Sequence, residues 1–293
     1  MTIDRFRQQG WPVLVVLLAG LLLWYALTVG LNANGAIARV LPKDGSWAWA
    51  DLLQATLNMQ RPLLPAPHQI LLDIWTSLTH WSIGSPRNLL LHTWVTASAA
   101  LTGFIMGLLQ GLLLAVCIVH SRTLDRALLP WIVASQTVPV LAIAPIVLVI
   151  LGSLGITGLM PKAVIAMYLC FFPVTVAMVQ GLRAPQKLAL ELLHTYGTGR
   201  LDTLWLLRLP AALPYLFPAC RVAIASGLVG TIVAELPTGA QAGLGARLLT
   251  GSYYGNTVQI WSALVMASLL GVTLTGLVSL VERWVMRHRR ETA

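Results

Sequence analysis

The amino-acid sequence predicts an all-α membrane protein with about six transmembrane helices. Of its 293 residues, 57% are hydrophobic and only 10% are charged, whereas a soluble domain carries about a quarter charged residues. The apolar residues fall into runs of about twenty or more, the length that a helix needs to cross a bilayer. In such a protein a net charge of +9 is distributed between the two membrane sides, so it gives no reason to expect a nucleic-acid partner.

The first predicted span covers residues 12–31 and follows a short basic segment. Trp24 and Tyr25 lie near its end, where aromatic side chains suit the membrane interface. No small-residue cleavage site follows the run. We therefore interpret it as a membrane anchor and not as a signal peptide.

A long polar stretch, residues 32–92, follows the anchor. Its later part is amphipathic, with the apolar residues on one helical face and Asp73, Ser77 and His80 on the other. The apolar set is Ile70, Leu71, Ile74, Trp75, Leu78 and Trp81. This pattern predicts a helix lying along the outer membrane interface. The sequence assigns no function to the preceding segment, about residues 40–62.

The second predicted span, residues 92–119, carries Gly103, Gly107 and Gly111 at four-residue intervals. Small residues at this spacing let two helices approach closely. The partner helix could belong to the same subunit or to a second one.

The third predicted span, residues 129–152, contains Pro139 and Pro145. Proline frees backbone carbonyls, which membrane helices tolerate where those groups are satisfied again or line a cavity. Gln136 and Thr137 are candidate pore-lining residues, although a core hydrogen bond would explain either of them as well.

A charged segment, Glu191 to Pro210, lies between the fourth predicted span (160–181) and the fifth. Its ionisable side chains are Glu191, His194, Arg200, Asp202 and Arg208. So many charges cannot lie in hydrocarbon, so the segment faces water. Leucines recur at helical spacing on both sides of a Gly197-x-Gly199 break, which predicts two short helices joined at glycine.

This segment resembles the EAA loop of bacterial ABC-importer permeases, which reads Glu-Ala-Ala, three residues, Gly, nine residues, Ile-x-Leu-Pro. The glutamate, the glycine and the closing Leu-Arg-Leu-Pro all occur here at that spacing. The family's two alanines are replaced by leucines, which predicts a bulkier docking surface. The implied ATPase-coupling residues are Glu191, Leu192, Leu193, Gly197, Leu207, Leu209 and Pro210.

The resemblance covers about residue 63 to the C terminus and points to the sulfonate, taurine, nitrate and thiamine-precursor branch. It implies a type I ABC importer permease in the bacterial inner membrane. Residues 1–62 would form an anchor and outer segment, and residues 63–293 a permease domain with a coupling loop at 186–210. The implied partners are a cytoplasmic ATPase, a periplasmic binding protein and a second, identical permease copy, so that the pore is a homodimer.

The distribution of basic residues predicts that both termini are cytoplasmic. Twelve lysines and arginines fall on the predicted inner side and six on the outer side, among them Lys162 and Arg247. An excess of positive charge marks the cytoplasmic side.

The sequence shows no pattern for a catalytic, metal or cofactor site. The histidines and cysteines are scattered, and there is no G-x-x-x-x-G-K-[ST] loop to hold ATP. We therefore predict that this chain is not an enzyme, that it binds no cofactor itself, and that ATP is used by a partner subunit.

Arg221 and Glu235 are the candidate charges of the fifth span. They are fourteen residues apart, about 21 Å along one face of a helix. They could line the pathway or a subunit interface, or they could lie at the two membrane interfaces. The alternative function, a proton-coupled secondary transporter, would depend on Glu235. The substrate stays open between a small anion near Arg221, such as a sulfonate, taurine or a nitrate-like ion, and a neutral heterocycle.

Overall fold

The computed structural model describes residues 3–43, 45–236 and 242–291, and within these ranges the regular structure is helical. In chain order the helices are α1 Ile3–Arg39, α2 Trp49–Leu57, α3 Pro67–Thr79, α4 Leu89–His120, α5 Arg122–Ser135, α6 Val140–Ser153, α7 Leu159–Arg183, α8 Lys187–Thr195, α9 Arg200–Thr203, α10 Leu209–Glu235, α11 Leu244–Tyr253 and α12 Thr257–Glu291. A π-helical segment, Leu204–Arg208, joins α9 to α10.

Among the described residues, five helical stretches are long and apolar enough to cross a membrane. They are Trp11–Arg39, Leu89–His120, Leu159–Arg183, Arg200–Glu235 and Thr257–Arg287. Helices α5 and α6 pass the same test as a pair, which gives up to six spans. The predicted all-α membrane fold with about six transmembrane helices is confirmed.

The third predicted span is wrong as a single helix. Helix α5 ends at Ser135, α6 begins at Val140, and the two meet at 102°. Pro139 stands immediately before α6, where a residue without an N–H costs no helical hydrogen bond. Pro145, inside α6, does not end the helix.

The fifth span, which the prolines at 214 and 218 predict to begin after one of them, begins earlier. Helix α9, the π segment and α10 form one stretch from Arg200 to Glu235, and Pro214 and Pro218 lie inside α10. Pro210 lies in the first turn of α10. A proline ring clashes with the carbonyl four residues earlier in an α-helix, and the wider π turn before Pro210 accommodates it.

The described chain divides into two compact units, one from residues up to Leu90 with Arg247–Val265, the other from Leu91–Ala246 with residues from Met266 onward. In the first unit the side chain of Asn32 in α1 accepts hydrogen bonds from the backbone N–H groups of Leu63 and Leu64 and donates to the Leu64 carbonyl. The indole of Trp24 donates to the Pro65 carbonyl. Helix α1 is thus fastened to the segment that leads into α3, and α2 fills part of the stretch for which no structure was predicted.

Helix α3 is amphipathic as expected, exposing Leu71 and Trp75. The polar face packs inward in part, because it carries Ser77, which is buried. Its hydroxyl donates to the Arg87 carbonyl and accepts from the Leu89 N–H, which fixes the start of α4.

The glycine ladder of α4 packs within this chain. A Cβ at Gly103 would collide with Ala166 of α7, one at Gly107 with Cys170, and one at Gly111 with Val174. The three glycines therefore allow α4 and α7 to touch along three turns. The partner helix that the sequence left open thus belongs to the same subunit.

Candidate functional site

The turn after α8 has the geometry expected for the coupling loop. Gly197 has φ +73°, the left-handed conformation that favours glycine. Its N–H donates to the His194 carbonyl, and the Thr198 N–H donates to the Leu193 carbonyl at 3.3 Å. These two bonds form a Schellman motif, so the turn is rigid.

The side chains of α8 present a row of apolar groups to the outside. Leu188, Leu192 and Tyr196 recur every four residues and are 74%, 57% and 77% exposed, so they share one helical face. Glu191 is exposed between them, and no ion pair or hydrogen bond engages its carboxylate among the described residues. Leu201, Trp205 and Leu206 extend the exposed apolar surface beyond the turn. We call this surface, from Leu188 to Leu206, the α8–α9 face.

The second half of the segment is fixed to the membrane helices. The guanidinium of Arg208 donates to the Leu182 carbonyl at 3.2 Å, and Gly181 lies so close to Ala212 that an added Cβ would sit 2.9 Å from it. The Asp202 carboxylate accepts from the Gly199 N–H and so caps α9. The α8–α9 face is therefore carried by the ends of α7 and α10.

A buried ion pair lies at the other end of α10. Glu235 is fully buried, and Lys162 of α7 is 7% exposed. The Lys162 ammonium donates to Glu235 Oε1 at 3.1 Å and to the Ala242 carbonyl at 2.8 Å. The Thr96 hydroxyl, also buried, donates to the same carboxylate at 2.9 Å. The carboxylate thus joins α4, α7 and α10.

The same cluster holds the start of α11. The backbone N–H groups of Gly243, Leu244 and Gly245 donate to His92 Nδ1, Thr96 Oγ1 and Glu235 Oε2 at 3.0, 2.8 and 2.9 Å. Gly243 has φ +133°, and a Cβ there would collide with the Glu235 carboxylate. A helix start leaves its N–H groups unpaired, and here buried side chains satisfy them. We call Glu235, Lys162, Thr96 and His92 the Glu235 cluster.

The two candidate charges of the fifth span, Arg221 and Glu235, have different ion-pair partners in the structure. Arg221 pairs with Glu282 of α12 at 3.3 Å, and 43% of its side chain is exposed. Glu235 lies in a closed ion pair. The Glu235 carboxylate is therefore enclosed within this chain, and its placement along a pathway or at the outer membrane interface stays a prediction. Whether Arg221 lines a pathway stays a prediction.

The two polar residues of the third predicted span also differ from one another. Gln136 lines a cavity of about 340 Å³ at the break between α5 and α6, and Thr137 does not. The Thr137 hydroxyl donates to the Ala134 carbonyl. The side chain of Gln136 has no hydrogen-bond partner in the described part of the chain.

Sequence reasoning missed Lys162, Thr96 and His92. Lys162 was counted among the charges of the outer side, at the start of the fourth predicted span, and its burial in α7 was not expected. A charge inside an apolar run calls for a partner, so the lysine at the start of the fourth span is the signal that indicates a buried ion pair. Within the described residues, no group of three or more His, Cys, Asp or Glu is placed to hold a metal ion.

Known proteins agree with this architecture. The family described as binding-protein-dependent transport system inner membrane component matches residues 103–291. The riboflavin transport system permease protein of Chloroflexus aurantiacus is 33% identical over 225 residues, 77% of this chain and 80% of that protein. The formylaminopyrimidine transport permease protein of Halalkalibacterium halodurans is 28% identical, over 82% and 91% of the two chains. The taurine transport system permease protein of Escherichia coli is 28% identical, over 80% and 84%.

The family match covers well over half of the chain and includes the coupling segment and the Glu235 cluster except for His92 and Thr96. These relatives are permeases, that is, transport components and not enzymes, and no observation favours the proton-coupled secondary transporter. The chain is therefore a multi-pass inner-membrane permease subunit of the ABC transporter family, a member of the binding-protein-dependent transport system inner membrane components.

Proposed function

We propose that this chain, paired with a second copy of itself, forms the pathway through which an ATP-driven importer moves a small solute across the inner membrane. A cytoplasmic ATPase binds the α8–α9 face, and a periplasmic binding protein delivers the solute. This chain binds no cofactor, and ATP is used by the ATPase subunit. Both termini lie on the cytoplasmic side, with the α8–α9 face.

The observation that carries the proposal is the α8–α9 face itself. Leucine, tyrosine and tryptophan side chains that are more than half exposed on the water side of a membrane protein mark a protein-binding surface. The free Glu191 carboxylate in the row adds a charge that a groove on the partner can recognise. The leucines at 192 and 193, which replace the family's alanines, make the surface bulkier on this side.

The experiment that tests the proposal substitutes Gly197 by aspartate. An added Cβ meets nothing within 4 Å, so the substitution acts through the charge it adds beside the α8–α9 face and through the backbone, where a side chain costs about 1–2 kcal/mol in the left-handed region. If the substitution destabilises the complex in which the ATPase is docked on the α8–α9 face by this amount, uptake by the reconstituted importer falls about tenfold. ATP hydrolysis continues, because the ATPase itself is unchanged.

Gly155→Asp provides the matched control. Gly155 has φ +77° and equally open surroundings, but it lies in the turn between α6 and α7, away from the α8–α9 face. It should leave uptake unchanged. The proposal fails if Gly197→Asp transports normally, or if the chain purified from its native membranes carries no ATPase with it.

The named relatives transport solutes of different chemistry. Two are named for riboflavin and a formylaminopyrimidine, and one for taurine. A sulfonate, taurine or a nitrate-like anion would need a cation on the pathway, and Arg221 is the candidate from the sequence. Its pairing with Glu282 weakens that assignment.

A further inference from the structure

The cavity at the break between α5 and α6 lies beside the middle turns of α7. It measures about 340 Å³, and its lining comes from that break, from α7 and from α10. The lining residues are Ser135, Gln136, Val138, Tyr168, Leu169, Phe172, Pro173, Val222 and Ser226. Its volume is at the lower end of the range for small-molecule sites, about 300–1,000 Å³.

None of the described residues that line the cavity carries a charge. The nearest charge along the chain is Arg221, next to Val222, and its guanidinium is engaged with Glu282. An anion taken out of water needs a paired or hydrogen-bonding cation. The cavity therefore suits an uncharged molecule better than a sulfonate or a nitrate-like ion.

Two aromatic rings in the lining are suited to stacking. The Tyr168 hydroxyl donates to the Ser135 carbonyl at the end of α5, and the Tyr168 ring contacts Phe171 at 6.0 Å between centroids. These contacts fix the ring before any ligand arrives, which reduces the entropic cost of binding. Phe172, one turn further along α7, adds a second aromatic surface.

Polar groups in the lining are free to bind the edge of a ligand. Neither the Gln136 amide nor the Ser226 hydroxyl has a hydrogen-bond partner among the described residues. Pro173 has no N–H, so the Leu169 carbonyl lacks the donor it would have in a regular helix. Exposing unpaired polar groups to lipid costs several kcal/mol each. We therefore expect the open side of the cavity to face a second subunit or water in the pathway.

We infer that this cavity is a passage site for an uncharged, planar heteroaromatic solute, which stacks on Tyr168 and Phe172 and hydrogen-bonds to Gln136 and Ser226. The inference rests on the proposed function, because it names the class of solute that the permease carries. An amide offers both a donor and an acceptor, which matches the alternating donors and acceptors on the edge of a heterocycle.

The test uses the permease purified with its co-purifying ATPase, in lipid nanodiscs without nucleotide. Riboflavin and cytosine serve as uncharged heteroaromatic probes, and taurine and methanesulfonate as the competing chemistry. We expect saturable binding of at least one heteroaromatic probe and no displacement by the sulfonates. Gln136→Leu and Phe172→Leu should each weaken the binding about tenfold, through the lost hydrogen bonds and the lost stacking.

Thr137→Val is the matched control, because Thr137 adjoins Gln136 but does not line the cavity. It should leave the affinity unchanged. Binding of neither heteroaromatic probe, competition by taurine or methanesulfonate, or equal affinities for Gln136→Leu and the parent would overturn the inference. Because the assay needs no ATP hydrolysis, these results are separate from failure of the proposed function, which would appear as loss of the ATPase on purification.

Discussion

The Glu235–Lys162 ion pair provides the sharpest test of the structure. We consider Lys162→Met, Glu235→Gln and the double variant. In the first, the Glu235 carboxylate stays buried without its cation. In the second, the Lys162 ammonium stays buried, although glutamine still offers an oxygen to the N–H of Gly245. The double variant removes both charges and keeps the approximate shapes.

The magnitude follows from burial. Both side chains are less than a tenth exposed, and removing one partner of such a pair costs about 3–5 kcal/mol. At roughly 2–4 °C per kcal/mol, each single variant should unfold about 6–20 °C lower. Replacing both members of a buried pair is often close to neutral, so the double variant should be clearly more stable than the sum of the two losses predicts.

Arg221→Gln is the control on the same helix. Its pair with Glu282 is 3.3 Å long but 43% and 24% exposed, and exposed pairs contribute about 0.2–1 kcal/mol. Thermal unfolding followed by tryptophan fluorescence measures all four variants in one detergent. Additive losses at Lys162 and Glu235, or an Arg221→Gln shift as large as theirs, would refute the reasoning.

Three further predictions concern packing, the start of α11 and docking. Gly107→Val should lower thermal stability by about 1–3 kcal/mol, because the added side chain overpacks against Cys170. Gly276→Val is the control and should leave stability unchanged, because its surroundings are open. Equal shifts for the two variants would contradict this prediction. Thr96→Val removes the hydroxyl that joins the carboxylate to the first turn of α11 and should cost about 1–3 kcal/mol in the same assay. Leu192→Glu, at an exposed position, should reduce the ATPase recovered with the chain without changing its unfolding temperature, and full recovery would count against the docking surface.

The features that the sequence predicted well are those encoded locally. Apolar runs of about twenty residues define spans wherever they occur, and the turn at Gly197 follows from a glycine between two leucine-rich helical patterns. The break between α5 and α6 was missed although its cause is local too. The two prolines give the same signal in the sequence. Only Pro139 closely follows the polar Gln136–Thr137 pair, and the helix ends there.

The Glu235 cluster could not be predicted from spacing. Lys162 and Glu235 are 73 residues apart, and Thr96 and Glu235 are 139 apart, so no periodic pattern connects them. Their pairing depends on the close packing of α4 on α7. The three glycines of α4 allow the two helices to approach, but they do not determine which side chains meet. The sequence indicates that a buried charge needs a partner, but only the fold shows which residue that partner is.

The contacts at both ends of α7 and α10 bear on how the importer would work. Arg208 holds the Leu182 carbonyl at one end, the Lys162–Glu235 pair closes the other, and between them Cys170 Sγ donates to the Ala223 carbonyl. These three levels of contact hold α7 and α10 together, so we expect a force applied to the α8–α9 face to displace both helices. The cavity has one wall on this pair and another on the break between α5 and α6. The Tyr168 hydroxyl links the pair to the break through the Ser135 carbonyl, so we expect a displacement of the pair to reach the break and the cavity between them.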